Sequence, residues 1–142
     1  MVKWNGFCSL WDYILKGEIN FYSDEMRLYL TDEMPIKEIH SKKSDLKGIK
    51  EEHGYQEVAL DTIFVNGGCY KKLMVKNDIR FVATKGDFGP FRYAIIYNNS
   101  HKDKILLSYL DFGEHIKVKT RIIGEDEKVT ISFYDNCLLK LS

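Results

Sequence analysis

Two strongly apolar stretches in the middle of the chain, residues 91–97 (FRYAIIY) and 105–112 (ILLSYLDF), decide its fold. Their apolar residues occupy both odd and even positions, whereas a strand with one face in water alternates apolar and polar side chains. The stretch between them, residues 98–103 (NNSHKD), is polar and short enough for a hairpin connection. We therefore predict two adjacent antiparallel strands at the middle of a sheet that is covered on both faces.

Shorter strand patterns surround this pair, with turn signals about every ten residues, as in sandwiches and barrels. Gly67-Gly68 is one such signal. Aromatic residues make up 13% of the chain, an excess that favours β structure. The sequence predicts an all-β fold with an N-terminal helix, namely an antiparallel β-sandwich or jelly-roll-like barrel of about eight strands. Besides the central pair, the predicted strands are residues 26–30, 57–65, 70–75, 79–84, 116–122 and 129–133.

The N-terminal helix is predicted from apolar residues spaced i, i+3, i+4, i+7 and i+8, which share one helix face. These residues are Phe7, Leu10, Trp11, Ile14 and Leu15. Gly17 is a typical stop signal after them. We accordingly divide the chain into an N-terminal helical anchor segment, residues 1–18, and a single β domain, residues 19–142.

The anchor segment is the predicted contact with a partner protein, because aromatic residues dominate interface energies. The predicted contact residues are Trp4, Phe7, Trp11, Ile14 and Leu15. The alternative is that the helix packs on its own sheet. Deleting residues 1–18 separates the two: a domain with a detachable anchor stays folded but no longer joins its assembly.

A long loop, residues 32–54, is charged and weakly patterned. It predicts one helical turn near residues 44–50, capped by Ser44 or Asp45. Long loops in small domains are often functional, so this loop is a second candidate for partner contact.

Charge and composition exclude several classes of protein. The 142 residues contain 21 Lys and Arg and 21 Asp and Glu, without the basic excess that is typical of nucleic-acid binding. The basic pair Lys42-Lys43 is matched in number by the acidic pair Glu51-Glu52. No apolar run approaches the roughly 20 residues of a membrane span. We predict no contact with nucleic acid or membrane, and a net charge near zero favours association with other proteins.

The N-terminus lacks the pattern of a signal peptide, which predicts synthesis in a reducing cytoplasm. The odd number of cysteines, Cys8, Cys69 and Cys137, favours free thiols.

No motif in the chain carries recognisable chemistry. The sequence Asp-Phe-Gly occurs at residues 87–89 and 111–113, but the other motifs of protein kinases are missing. The histidines are too scattered along the chain to predict a metal site. His101 and Asp103 are close enough to share a cation, but two ligands do not make a site. We predict no catalytic residues, no metal and no cofactor, with the histidines solvated. A small enzyme with an unrecognised carboxylate pair stays open as an alternative.

Two patterns together resemble a group of small bacteriophage virion structural proteins. Residues 92–97 (RYAIIY) match an R-Y-A-hydrophobic-hydrophobic-Y pattern, and residues 107–113 (LSYLDFG) match hydrophobic-x-Y-hydrophobic-D-F-G. Upstream, residues 26–31 (MRLYLT) resemble that group's early strand. The resemblance covers residues 25–135 and implies no catalytic residues.

The resemblance implies a non-enzymatic virion structural protein, most specifically a capsid decoration or auxiliary head protein. Its partners would be other virion proteins in a multi-copy assembly, reached after synthesis in the host cytoplasm. The alternatives are a tail, head-tail connector or baseplate component, and a carbohydrate- or ligand-binding β module.

Overall fold

The computed structural model describes residues 4–76, 78–120 and 127–131, and the backbone of residues 137–141. Within these residues it contains one short α-helix, one 3₁₀ turn and ten strands, which confirms the predicted all-β fold with an N-terminal helix. In chain order the elements are β1 (Asn5–Gly6), α1 (Ser9–Leu15), β2 (Met26–Thr31), the 3₁₀ turn (Lys43–Asp45), β3 (Val58–Ala59), β4 (Thr62–Asn66), β5 (Lys71–Val75), β6 (Ile79–Val82), β7 (Phe88–Asn98), β8 (Leu106–Val118), β9 (Lys128–Ile131) and β10 (Cys137–Leu141).

The main sheet has five strands in the order β1-β8-β7-β2-β3, and every neighbouring pair is antiparallel. The two stretches that decide the fold lie in β7 and β8 and pair directly, with Ala94 opposite Leu110 and Ile95 opposite Tyr109. Both strands lie inside the sheet rather than at its edges, so the predicted central hairpin is confirmed.

Each face of the main sheet buries its own apolar cluster. In β7, Ala94 and Ile96 belong to the main core, whereas Tyr93, Ile95 and Tyr97 belong to a second core on the opposite face. Successive side chains of a strand point to opposite faces, so a strand that is covered on both sides needs apolar residues at every position. The apolar residues at both odd and even positions therefore reflect two separate cores.

Different parts of the chain cover the two faces. The three-stranded sheet β10-β5-β4 and the two-stranded sheet β6-β9 share the main core with the main sheet, through Leu73, Phe81 and Ile131. This arrangement is sandwich-like. The second core is completed by Phe7 from the N-terminal segment and by Leu46 from the long loop. The N-terminal segment thus packs into the β domain.

The predicted strand at residues 57–65 is two strands in different sheets. β3 pairs with β2 in the main sheet, while β4 pairs with β5 in the three-stranded sheet. Leu60 is buried at this crossing, and its N–H donates to the carbonyl of Met26 at 2.8 Å. The strand pattern of residues 57–65 continues past Leu60, so the sequence does not reveal that the chain changes from one sheet to another there.

The last predicted strands also differ from the structure. β8 continues through Gly113, whose φ of 85° suits glycine, and takes in the first part of the predicted strand at 116–122. Residues 119–120 are not in a strand, and residues 121–122 and 132–133 lie outside the described residues. β1 and β10 are strands that the sequence patterns do not predict.

The long loop contains the predicted helical turn in a shorter form. The turn spans Lys43–Asp45, and the Asp45 carboxylate accepts the backbone N–H groups of Ser41 and Lys42 at 2.8 and 3.0 Å. These hydrogen bonds lower the pKa of Asp45, and the bond from Ser41 has the larger effect. Asp45 is the third residue of the turn and accepts the N–H of the N-cap residue, Lys42, so the prediction that Ser44 or Asp45 is itself the N-cap is wrong.

Candidate functional site

The N-terminal segment is held to the main sheet by its backbone and by one ring. β1 pairs with β8, and the N–H of Phe7 donates to the carbonyl of Leu107 at 3.0 Å. The Phe7 side chain is only 1% exposed, and its ring centroid lies 5.4 Å from that of Tyr109. Trp4 is partly buried and packs against the main core. Two of the five predicted contact residues thus pack within their own domain.

Helix α1 turns one face to the core and another to solvent. Leu10 is buried, and Ile14, one turn later, is partly buried against the main core. Trp11 and Leu15 form the neighbouring stripe and are 54% and 83% exposed. The predicted contact set is therefore divided: Trp11 and Leu15 are available to a partner, whereas Trp4, Phe7 and Ile14 contact this chain.

The long loop carries further exposed apolar side chains, on a segment that is bonded to the residue before α1. Met34 and Ile39 are 66% and 70% exposed, and Ile36 lies between them in sequence with a smaller exposed fraction. The N–H of Cys8 donates to the carbonyl of Lys37 at 3.0 Å, which joins this loop segment to the residue that precedes α1. We call the exposed side chains of these two joined segments the apolar surface; its members are Trp11, Leu15, Met34, Ile36 and Ile39.

The end of the N-terminal segment is fixed by His101, which the sequence predicts to be solvated. That prediction is wrong, because His101 is 8% exposed and lies edge-on to the ring of Tyr13. Its Nδ1 accepts the N–H of Asp103 at 3.0 Å, and its Nε2 lies 3.3 Å from Glu18 Oε1. The imidazole therefore joins the segment after α1 to the β7–β8 connection, and Nδ1 is not open to a cation.

The two motifs of the phage resemblance meet across the central hairpin. Arg92, from the first pattern, donates through Nε and Nη2 to the two carboxylate oxygens of Asp111, from the second, at 2.9 and 3.3 Å. Asp111 Oδ1 also accepts the N–H of Gly113 at 2.8 Å. The hydrogen bond from Arg92 is the largest of the effects that lower the pKa of Asp111. Arg92 and Asp111 therefore form an ion pair that joins the two motifs across the strands.

A hydrogen-bonded cluster around Glu57 attaches the long loop to the second face of the main sheet. Glu57 Oε2 accepts the hydroxyl of Tyr97 at 2.7 Å, while Oε1 lies 3.2 Å from Lys43 Nζ and 3.5 Å from Arg27 Nη1. The Lys43 ammonium also lies 4.8 Å from the ring centroid of Tyr97 and 5.6 Å from that of Tyr29, within cation–π range. The Glu57 carboxylate and the two tyrosine rings together fix the position of the Lys43 ammonium group.

The protonation states in this cluster follow from burial and pairing. Burial, followed by the hydrogen bond to Glu57, raises the pKa of Tyr97. Burial by itself would lower the pKa of Lys43, but its interactions with Tyr97 and Glu57 outweigh that effect and raise the pKa. Lys43 therefore stays a cation and Tyr97 a neutral donor at neutral pH.

A cleft of about 720 Å³ opens beside this cluster, between the long loop and the β7–β8 connection. Five lysines and one aspartate are among the residues that line it; we call it the lysine cleft. The charged lining residues are Lys42, Lys43, Lys47, Lys102, Lys104 and Asp103. Among the described residues at the cleft, the ammonium groups of Lys42, Lys47 and Lys102 have no carboxylate within ion-pair distance. The cleft therefore concentrates positive charge on a chain with no net charge.

Sequence reasoning missed this cleft. It weighed Lys42-Lys43 against acidic pairs elsewhere in the chain, whereas the structure sets this pair beside Lys102 and Lys104. The only sequence signal is a high density of lysine in both segments, and their contact depends on the β7–β8 hairpin.

Two further features bear on function. Within the described ranges, no group of three or more His, Cys, Asp and Glu side chains is arranged to hold a metal ion. In the same part of the chain, no helix has the length and apolar character needed to cross a membrane.

Comparison with known proteins adds no assignment. No protein-family model, curated protein or solved structure is significantly similar to this chain. The resemblance to phage virion proteins therefore remains a prediction based on the two strand motifs.

Proposed function

We propose that this chain is a non-enzymatic structural protein of a bacteriophage virion, and specifically a capsid decoration or auxiliary head protein. The observation that carries the proposal is the apolar surface. Trp11 and Leu15 project from a helix whose other face is already buried, and Met34 and Ile39 are exposed on the loop segment that is joined to the residue before this helix. The two segments are joined by a backbone hydrogen bond, and apolar side chains left exposed on joined segments are a feature of protein contact sites.

The proposal has further support in the central hairpin. The motifs that resemble virion proteins are paired with each other, and their charged residues Arg92 and Asp111 bond across the strands. One structural unit thus contains both motifs. A chain without net charge also has little electrostatic repulsion to oppose its packing in many copies.

The first test is quantitative mass spectrometry of purified particles of the phage that encodes the chain. We expect many copies per particle, and separated heads should retain them while separated tails do not. Enrichment in tails would favour the tail, connector or baseplate alternative. Absence of the chain from washed particles would contradict the proposal.

The second test asks whether the apolar surface makes the contact. Particles that lack the chain are mixed with purified wild-type protein or with the double variant Trp11→Ser/Leu15→Ser. We expect the variant to fold but to lose binding to the particles. The matched control Ile63→Ser/Val82→Ser removes two exposed apolar side chains from other sheets and should bind normally. Equal binding by both double variants would exclude the apolar surface as the contact.

The lysine cleft gives specific support to one alternative, a ligand-binding β module. The described residues that line it include no aromatic ring for sugar stacking, so its chemistry favours an anion over a neutral carbohydrate.

A further inference from the structure

We propose that the lysine cleft binds a compact ligand that carries two or more phosphate groups. This inference concerns a different surface from the apolar one and does not depend on the virion proposal.

The first argument is local charge. Five ammonium groups and one carboxylate line the cleft. Lys43 is paired with Glu57, and Lys104 donates to the backbone carbonyl of Asn99. The side chains of Lys42, Lys47 and Lys102 are exposed. Within the described part of the chain Lys47 and Lys102 have no carboxylate partner, and Lys42 has only a coulombic interaction with the nearby Asp45 carboxylate. Like charges on one concave surface repel each other, and a multivalent anion would relieve that repulsion.

The second argument is that the two walls of the cleft are fixed before any ligand arrives. The N–H of Lys43 donates to the carbonyl of Lys104 at 2.8 Å, and the N–H of Leu106 donates to the carbonyl of Ser41 at 2.9 Å. Lys42 also forms an isolated β-bridge with Ile105. Walls that are already joined do not have to be ordered on binding, which favours affinity.

The third argument concerns the type of anion. Lysine ammonium groups are compact point charges that bind phosphate oxygens, whereas arginine adds a planar fork that pairs bidentately with carboxylate and phosphate alike. The described lining residues include lysines but no arginine, and no aromatic ring on which a nucleic-acid base could stack. The volume of about 720 Å³ fits a small molecule, and the charge is confined to two loops, without the extended track of a polynucleotide site.

The test is isothermal titration of the full-length protein with inorganic tripolyphosphate at constant ionic strength. The cleft variant is Lys47→Gln/Lys102→Gln. The matched control is Lys117→Gln/Lys119→Gln, which removes the same charge from two exposed lysines near the far end of β8. We expect saturable binding by wild type and control, and about tenfold weaker binding by the cleft variant, equal to about 1.4 kcal/mol.

Several results would overturn the inference. One is the absence of saturable heat with the wild-type protein, and another is an equal loss of affinity in the control variant. If sulfate competes for the cleft as well as tripolyphosphate does, the binding is nonspecific anion screening and the inference is wrong. A pentaglutamate peptide that binds as tightly would point to an acidic protein segment, and a tighter-binding single-stranded oligonucleotide would point to nucleic acid. Circular dichroism spectra of the variants check that each one is folded.

Discussion

Replacing Phe7 with alanine is expected to destabilise the domain by about 3–5 kcal/mol, the usual cost of removing a buried aromatic ring. The Phe7 ring is almost completely buried in the second core, against Tyr109. Trp11, which lies in α1, is more than half exposed. The control Trp11→Ala should therefore change the free energy of unfolding by about 0.5 kcal/mol or less.

Urea unfolding followed by far-ultraviolet circular dichroism measures both effects. Tryptophan fluorescence is unsuitable for the comparison, because the chain has two tryptophans and Trp11→Ala removes one of them. With a denaturant slope of about 2 kcal/mol per molar urea, Phe7→Ala should lower the unfolding midpoint by about 2 M. The same slope gives a shift of about 0.2 M for Trp11→Ala.

Deletion of residues 1–18 extends the same argument. The deletion removes Phe7 and Leu10, each worth about 1.5–3 kcal/mol of burial, together with the pairing of β1 to β8. The total approaches the net stability of a typical domain, about 5–15 kcal/mol, so we expect the truncated chain to lose cooperative unfolding or to aggregate. The reasoning fails if Phe7→Ala is no more destabilising than Trp11→Ala. It also fails if the truncated chain unfolds cooperatively at the urea concentration of the full chain; the segment would then be the detachable anchor that the sequence predicts.

Two predictions concern pH. Burial raises the pKa of Tyr29 and Tyr55. The contribution of these two tyrosines to the free energy of unfolding should therefore be fully present below the unfolded tyrosine pKa of about 10 and should be lost as the pH rises above it. For the pair, the loss can reach about 2.7 kcal/mol per pH unit. In urea unfolding at alkaline pH, Tyr55→Phe should reduce this slope while the exposed control Tyr22→Phe leaves it unchanged; an unaltered slope in Tyr55→Phe would contradict the assignment. The Asp111 pKa is lowered by its hydrogen bond with Arg92, so the stability from this pair is present above the unfolded Asp pKa of about 3.9 and is lost as pH falls through the folded value. Acid unfolding of Asp111→Asn should accordingly depend less on pH in that range, and a curve with the wild-type pH dependence would exclude this contribution.

The candidate sites were only partly predictable from the sequence. The helical spacing predicts one shared apolar face, whereas in the structure Leu10 and Ile14 face the core and Trp11 and Leu15 face solvent. A seven-residue helix presents these two neighbouring stripes about 100° apart, and only the position of the sheet decides which one is buried. The lysine cleft depends on contact between segments more than fifty residues apart in sequence, which no local pattern records.

The sequence by itself determined the all-β class and the central hairpin. A strand with apolar residues at both odd and even positions has to be covered on both faces, and residues 91–97 and 105–112 have that property without reference to any neighbour. The tertiary structure alone decided what covers each face: the smaller sheets on one side, and Phe7 and Leu46 on the other. It also decided the break of the predicted strand 57–65 between two sheets. The physical reason is that hydrophobic burial is non-directional, so an apolar side chain requires cover but does not specify which segment provides it.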